Sequence, residues 1–236
     1  MTPAALGMTP ASPGRIVLVE DHSLFAEALE TTLVLKGYDA QRVPLIPGQT
    51  LARLTDAVLK LRPDTVLLDL DLGPVGIGLG MIKPLTSAGV DVIVVTACGD
   101  RARWGEAVLA GARKVLAKNA PVRDVVATIR RAAGGLSLLS DEERQELIRE
   151  RRVRASEDQD LRGRLERLTR REAEVLGLLM EGRQVGEIAR VCFVSESTVR
   201  TQVKAILAKL QVSSQLAAVG LAHRAGWKRD APRAGA

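Results

Sequence analysis

Cysteine and histidine are scarce: two of each among 236 residues, with Cys98 and Cys192 far apart and no Cys-x-x-Cys spacing. That argues against a disulfide framework and against a zinc site built from clustered cysteines and histidines, which need several such ligands at short intervals. Long apolar runs are missing too. No stretch of about 18 apolar residues is free of charge, so no segment reads as a membrane-spanning helix. The opening residues, MTPAALGMTPASPGR, carry neither the basic start nor the apolar run of a secretory signal. The sequence therefore predicts a cytoplasmic protein with no membrane partner, in which residues 1–14 form a disordered extension and 229–236 a flexible tail.

What is present is 46% hydrophobic content, enough to bury a core in two modest domains. The net charge of +6 is unevenly spread. Residues 1–139 hold 15 basic side chains against 13 acidic, residues 140–162 hold 6 against 8, and residues 163–236 hold 13 against 7. A basic C-terminal segment predicts a polyanionic partner, above all nucleic acid.

From Arg15, short runs rich in Val, Ile and Leu alternate with amphipathic stretches. "RIVLVED" (15–21), "TVLLDLD" (65–71), "DVIVVTA" (91–97) and "KVLAK" (114–118) read as strands buried on both faces, with a weaker one at 37–43. Residues 23–36, 50–61, 77–88, 101–110 and 122–139 have helical pattern. This alternation predicts an α/β fold with a parallel, doubly wound sheet over 15–139, in which ligands sit at the carboxyl ends of the strands. Residues 140–165 are so highly charged that they predict a partly helical linker, started by a Ser140–Glu143 capping box. Residues 166–228 predict a small all-helical domain: a helix opened by the Thr169–Glu172 capping box, a short helix near 185–190, and a helix capped by Ser195. In the last, Val199, Val203, Ile206, Leu207 and Leu210 share one face, while Arg200, Thr201, Gln202 and Lys204 lie opposite, with Lys209 near the end.

Glu20, Asp21, Asp69, Thr96 and Lys118 all fall at strand ends. If the first and third strands are neighbours, in the usual order 2-1-3-4-5, three carboxylates meet and repel one another unless a cation sits among them. A hard divalent ion with oxygen ligands, Mg²⁺, suits that set. Thr96 and Lys118 would then face a phosphoryl group carried as an acyl phosphate on Asp69.

At this point the chain resembles the two-component response regulators with a LuxR-type (NarL/FixJ) output domain, from about Arg15 to about Trp227. "VEDH" matches the family's acidic pair at Glu20 and Asp21, "LLDLDL" its phosphoacceptor at Asp69, and "VVTA" and "VLAK" its switch hydroxyl and lysine at Thr96 and Lys118. Asp71 stands where the family's metal site takes a backbone carbonyl. The segment "LTRREAEVLGLLMEGRQVGEIARVCFVSESTVRTQVKAILAKLQV" is similar to the family's DNA-binding signature. The resemblance implies a (βα)5 flavodoxin-like receiver with Mg²⁺ at Glu20, Asp21, Asp69 and Asp71, plus a four-helix output domain. Its third helix would enter the major groove of double-stranded DNA through Ser197, Arg200, Thr201, Gln202, Lys204 and Lys209. A homodimer formed near residues 214–225 would read a two-fold symmetric operator, with a sensor histidine kinase or another phosphodonor as the input partner. Such a protein is a regulator and not an enzyme.

The sequence departs from the family at several points. Val115 stands where Tyr or Phe is common, Pro74 comes one position late, Gln211 replaces the glycine ending the recognition helix, and Gln184 replaces a Ser or Thr cap. The first two leave open a receiver regulated without phosphorylation, by a ligand or as a constitutive dimer. A more distant alternative, a haloacid-dehalogenase-like phosphatase using Asp69-Leu70-Asp71, would place that motif on the first strand.

Overall fold

The computed structural model describes residues 14–228; beyond Gly14, the expected extension and tail lie outside the described residues. Compact units divide the chain between Arg152 and Val153. In the first, β1 (Ile16–Val19), β2 (Ala40–Arg42), β3 (Thr65–Leu68), β4 (Asp91–Thr96) and β5 (Lys114–Ala117) form a parallel sheet ordered β2-β1-β3-β4-β5. β1 and β3 are buried at every position, as strands covered on both faces must be.

Side-chain alternation sorts the strands into two cores. Val17, Val19, Val66, Leu68, Val92 and Val94 pack with α2 (Leu51–Lys60), α3 (Leu79–Ser87) and α4 (Arg101–Leu109). Ile16, Leu18, Leu67, Ile93 and Val95 pack with α1 (Ser23–Leu35) and α5 (Val122–Ala133). Because Val19 pairs with Leu68, and Thr96 with Ala117, residues 20, 21 and 69 emerge at one end of the sheet, with 96 and 118 beside them.

Three elements differ from expectation. The helix expected from 77 begins at Leu79, after a 3-10 turn at Gly73–Val75 and a bridge between Asp71 and Ile77. Gly76 holds φ at 119°, a conformation that breaks helical continuity there. The helix expected to reach 139 stops at Ala133, before Gly134 and Gly135, so that Leu138 and Leu139 drop into the two cores, one on each side of the sheet. The charged segment, expected to be partly helical, is a continuous helix, α6 (Asp141–Glu166), in which Ser140 caps the Glu143 N–H.

The first half of α6 belongs to the receiver-like unit. Leu147 is 1% exposed in the α2–α4 core. A side-chain carbon at Gly105 of α4 would fall 2.3 Å from the Leu147 carbonyl oxygen, so the two helices approach through the missing side chain. Around that contact Arg101 pairs with Glu150 at 2.9 Å and Glu146 at 3.2 Å, Arg151 with Glu106 at 2.6 Å, and Lys114 with Glu143 at 2.7 Å.

In the second unit, α7 (Arg170–Met180), α8 (Val185–Val191), α9 (Glu196–Leu210) and α10 (Gln215–Arg224) enclose Leu165, Val175, Leu176, Ile188, Val199, Val203, Ile206, Leu210 and Ala218. Both legs of the Thr169–Glu172 capping box form: the Thr169 N–H donates to Glu172 at 2.6 Å, and the Glu172 N–H to the Thr169 hydroxyl at 3.3 Å. Gln184 substitutes for a better cap by giving its own N–H to Glu187 at 2.9 Å. At the end of α9 Gln211 adopts the left-handed conformation, φ 57° and ψ 44°. It does what glycine would do there, at a cost of about 1 kcal/mol.

Candidate functional site

Two places concentrate functional side chains. At the carboxyl end of the sheet Asp69 is 3% exposed, its N–H bound to the Val19 carbonyl at 2.9 Å. Lys118 Nζ donates to Asp69 Oδ2 and to Glu20 Oε1, each at 2.6 Å, and lies 5.3 Å from the centre of the Phe25 ring. Asp69 Oδ1 is buried without any hydrogen-bond partner. Glu20 also accepts the His22 N–H at 2.8 Å, and His22 Nδ1 lies 2.7 Å from Asp21 Oδ1. Thr96 is 1% exposed and its Oγ1 accepts the Cys98 N–H at 3.2 Å.

Burial pushes the Glu20 carboxyl above its ordinary range, against the hydrogen bonds from Lys118 and His22 that pull it down. Burial works on Lys118 in the opposite sense, but hydrogen bonds to Asp69 and Glu20 outweigh it and hold the ammonium above its usual value. Lys118 is thus firmly charged. With Glu20, Asp21 and Asp69 ionised, three carboxylates against one ammonium leave two negative charges. A divalent cation cancels that excess. Carboxylate oxygens are the ligands Mg²⁺ takes, and the unpartnered Asp69 Oδ1 is a donor atom awaiting one, so these residues fit the ion.

The lip of this pocket depends on glycine. At Gly78 a side-chain carbon would lie 2.2 Å from the Asp69 carbonyl oxygen, and at Gly73, where φ is 55°, it would meet Asp21 Oδ2 at 3.2 Å. Asp71, expected in the metal set, turns its exposed carboxylate to the Gly73 N–H at 3.2 Å, outside the group of Glu20, Asp21, His22 and Asp69 whose ligand atoms lie within 4.8 Å of one another. Only its backbone carbonyl is left for that role.

The second place is α9. Ser195 caps it by accepting the Thr198 N–H at 3.1 Å. Since 3.6 residues make a turn, the buried stripe Val199, Val203, Ile206, Leu210 puts Ser197, Arg200, Thr201 and Lys204 on the solvent side, and all four are exposed. Arg200 forms an exposed pair with Glu196 at 3.1 Å, while the Lys204 ammonium has no hydrogen bond or ion pair among the described residues.

Comparisons with known proteins match these two places separately. The family model described as response regulator receiver domain matches residues 16–130, and that of bacterial regulatory proteins of the luxR family matches residues 166–222. The nitrate/nitrite response regulator protein NarP of Escherichia coli is 30% identical over 213 residues, covering 89% of this chain and 95% of NarP. The transcriptional regulatory protein DesR of Bacillus subtilis is 28% identical over 212 residues, covering 90% of this chain and 98% of DesR. A solved structure of the RcsB response regulator of Salmonella typhimurium covers 90% of this chain and 99% of its own, at 19% identity and a TM-score of 0.47. The chain belongs to the response regulators with a LuxR-type DNA-binding domain.

In this response regulator Glu20, Asp21, Asp69 and Lys118 come together as the sequence suggested, and Thr96 stands at the end of the strand beside Asp69's. Gln202 and Lys209 do not join the exposed face of α9. Seven residues apart, both lie on the flank of the buried stripe and are half-buried, and Lys209 Nζ is bound to Glu172 at 2.6 Å. Lys209 is therefore held against the α7 capping box and is not a free cation. His22 and Phe25 at the pocket were not singled out from sequence. The only local signal is position: His22 follows the acidic pair directly, and Phe25 lies in the first turn of α1.

No single helix among the described residues is long and apolar enough to cross a membrane. The regulator's relatives are transcriptional regulators, which accords with a role outside catalysis.

Proposed function

We propose that this response regulator is switched by phosphorylation of Asp69. The observation that carries this reading is the buried, unpartnered Asp69 Oδ1 beside an Oδ2 already held by Lys118. A phosphodonor, such as a sensor histidine kinase, presents phosphorus to the Asp69 carboxylate. The new O–P bond forms as the donor's bond to phosphorus breaks, and the bonding pair leaves with the donor. Glu20, Asp21 and Asp69, with the Asp71 backbone carbonyl, would hold Mg²⁺, which when bound neutralises charge on the phosphoryl oxygens. Lys118 stays charged against the product's negative oxygens, and the Thr96 hydroxyl can turn its proton toward one of them.

The output is double-stranded DNA. Arg200 and Lys204 supply charge for phosphates or guanine edges from the exposed face of α9, and Ser197 and Thr201 shorter contacts. A homodimer through α10, whose Leu216 is 83% exposed, would pair two such helices on a two-fold symmetric operator in the cytoplasm. Phosphate at Asp69 shifts the population toward that dimer.

The test is to incubate the full chain with Mg²⁺ and acetyl phosphate or phosphoramidate, then record intact mass, molar mass in solution and affinity for fragments selected from genomic DNA. One phosphoryl group is expected in the wild type and none in Asp69→Asn, with dimer and DNA affinity rising together. DNA binding by an unphosphorylated dimer that ignores the donor would refute the phosphorylation half.

A further inference from the structure

We infer that His22 is a nitrogen ligand of the cation in the Asp69 pocket, and that it biases this pocket toward first-row divalent ions of the cobalt, nickel and zinc class over Mg²⁺. The inference rests on the proposed cation site and goes beyond it.

The geometry supplies three parts. First, one ligand atom each from Glu20, Asp21, His22 and Asp69 lies within 4.8 Å of the others, so one ion can reach all four. Second, His22 stands at the N-cap position of α1 with extended backbone but makes no side-chain cap bond, so its ring is not spent on the helix. The His22 N–H, held by Glu20 Oε1 at 2.8 Å, fixes where the ring starts, and Nδ1 faces Asp21 at 2.7 Å, Glu20 at 3.3 Å and Lys118 Nζ at 3.3 Å. Carboxylate and imidazole lone pairs can point at the same centre from these positions. Third, Asp69 Oδ1 is buried, lacks a partner and belongs to the same group of residues.

Ligand chemistry sets the preference. Mg²⁺ is a hard ion that takes oxygen and dehydrates reluctantly. Imidazole suits zinc, copper, iron and nickel, and affinity rises from manganese through cobalt to nickel and copper. A purely oxygen set would separate cobalt from magnesium less than a set with one imidazole. The His22 side chain is 66% exposed, so it can swing onto the ion without loss of core packing.

The chain has only two histidines, and the other, His223, lies in α10, which makes the test clean. Metal-free full-length protein is titrated with CoCl2 and, separately, MgCl2 by calorimetry. Proton NMR of the cobalt form then looks for a hyperfine-shifted, exchangeable imidazole N–H. Wild type, His22→Gln and Asp69→Asn are compared, with circular dichroism in chelator confirming that each is folded. The expected result is an imidazole resonance in the wild type that vanishes in His22→Gln, together with a cobalt-to-magnesium affinity ratio about tenfold lower in that variant. Cobalt binding that depends on Asp69 but shows no imidazole resonance and the same ratio in His22→Gln would overturn the inference and leave the cation site standing. If neither ion binds in a way that Asp69→Asn abolishes, the cation site fails as well.

Discussion

The Asp69 pocket and the outer face of α9 handle charge in opposite ways. In the pocket, side chains that are 2% to 12% exposed are locked to one another: Lys118 to Asp69 and Glu20. On α9, Arg200 is 65% exposed with only a surface pair to Glu196, and Lys204 stands in solvent. Buried charge survives only when satisfied, so the pocket's residues define a closed arrangement that one added ion or phosphoryl group must rearrange. Exposed charge costs nothing to keep and is available to a polyanion. The difference teaches where each half of the molecule stores its function: input in an internal balance, output in a surface excess.

The sharpest break of that comparison is Lys118→Met. Removing the one ammonium leaves Glu20 and Asp69 facing each other where water cannot screen them, and losing one partner of a buried charge pair costs about 3–5 kcal/mol. Urea unfolding of the full chain in a Trp227→Phe background, followed through Trp104, which packs against the α2–α4 core, should show a loss of that size. Millimolar MgCl2 should recover part of it, because a divalent ion restores the missing positive charge. A variant as stable as the wild type would mean that the pocket's charges are not held by the lysine.

Next in size is the double substitution Arg200→Ala and Lys204→Ala. Each lost base or phosphate contact is worth about 1–3 kcal/mol, so affinity for a selected DNA fragment should fall about a hundredfold or more. The slope of log affinity against log salt should shrink by about two contacts per protomer, about four for the bound dimer. Stability should hold, since neither side chain reaches the core. An unchanged salt slope would remove α9 from the DNA interface.

Much of this was legible in sequence because it obeys local rules. Glu20, Asp21, Asp69, Thr96 and Lys118 follow runs of Val, Ile and Leu, and a parallel sheet brings the ends of such runs together. The α9 stripe repeats at helical spacing. What escaped depends on partners distant in the chain. Lys209 looks like one more cation of the recognition helix until Glu172, 37 positions earlier, is found against it. The charged segment after Ser140 looks solvated throughout, and nothing in its own pattern announces that Leu147 meets α4 at Gly105. Asp71 is expected at the site through its backbone carbonyl, and the turn that follows does hold its side chain away, on the Gly73 N–H.

The smallest predicted effect tests the distinction inside α9 itself. If Lys209 is structural, Lys209→Met should change DNA affinity by less than about twofold while lowering the stability of the C-terminal unit by about 1 kcal/mol, the size of a typical hydrogen bond or helix cap. The pH dependence carries the signature. Burial pushes the Glu172 carboxyl up, but the Lys209 ammonium and the Thr169 N–H and hydroxyl outweigh it and hold the carboxyl below its ordinary value of 4.5. A carboxyl depressed in the folded state stabilises the fold fully above the unfolded value and loses that contribution as pH falls through the lower folded one. Trp227 packs on the helical core, so Trp104→Phe gives a chain whose fluorescence reports that unit alone. In that background the urea midpoint of the parent should drop below about pH 4.5, and Lys209→Met should flatten the drop. A steep drop that survives the substitution, or a large loss of DNA affinity, would return Lys209 to the DNA-facing set and erase the line between the two kinds of charge on this helix.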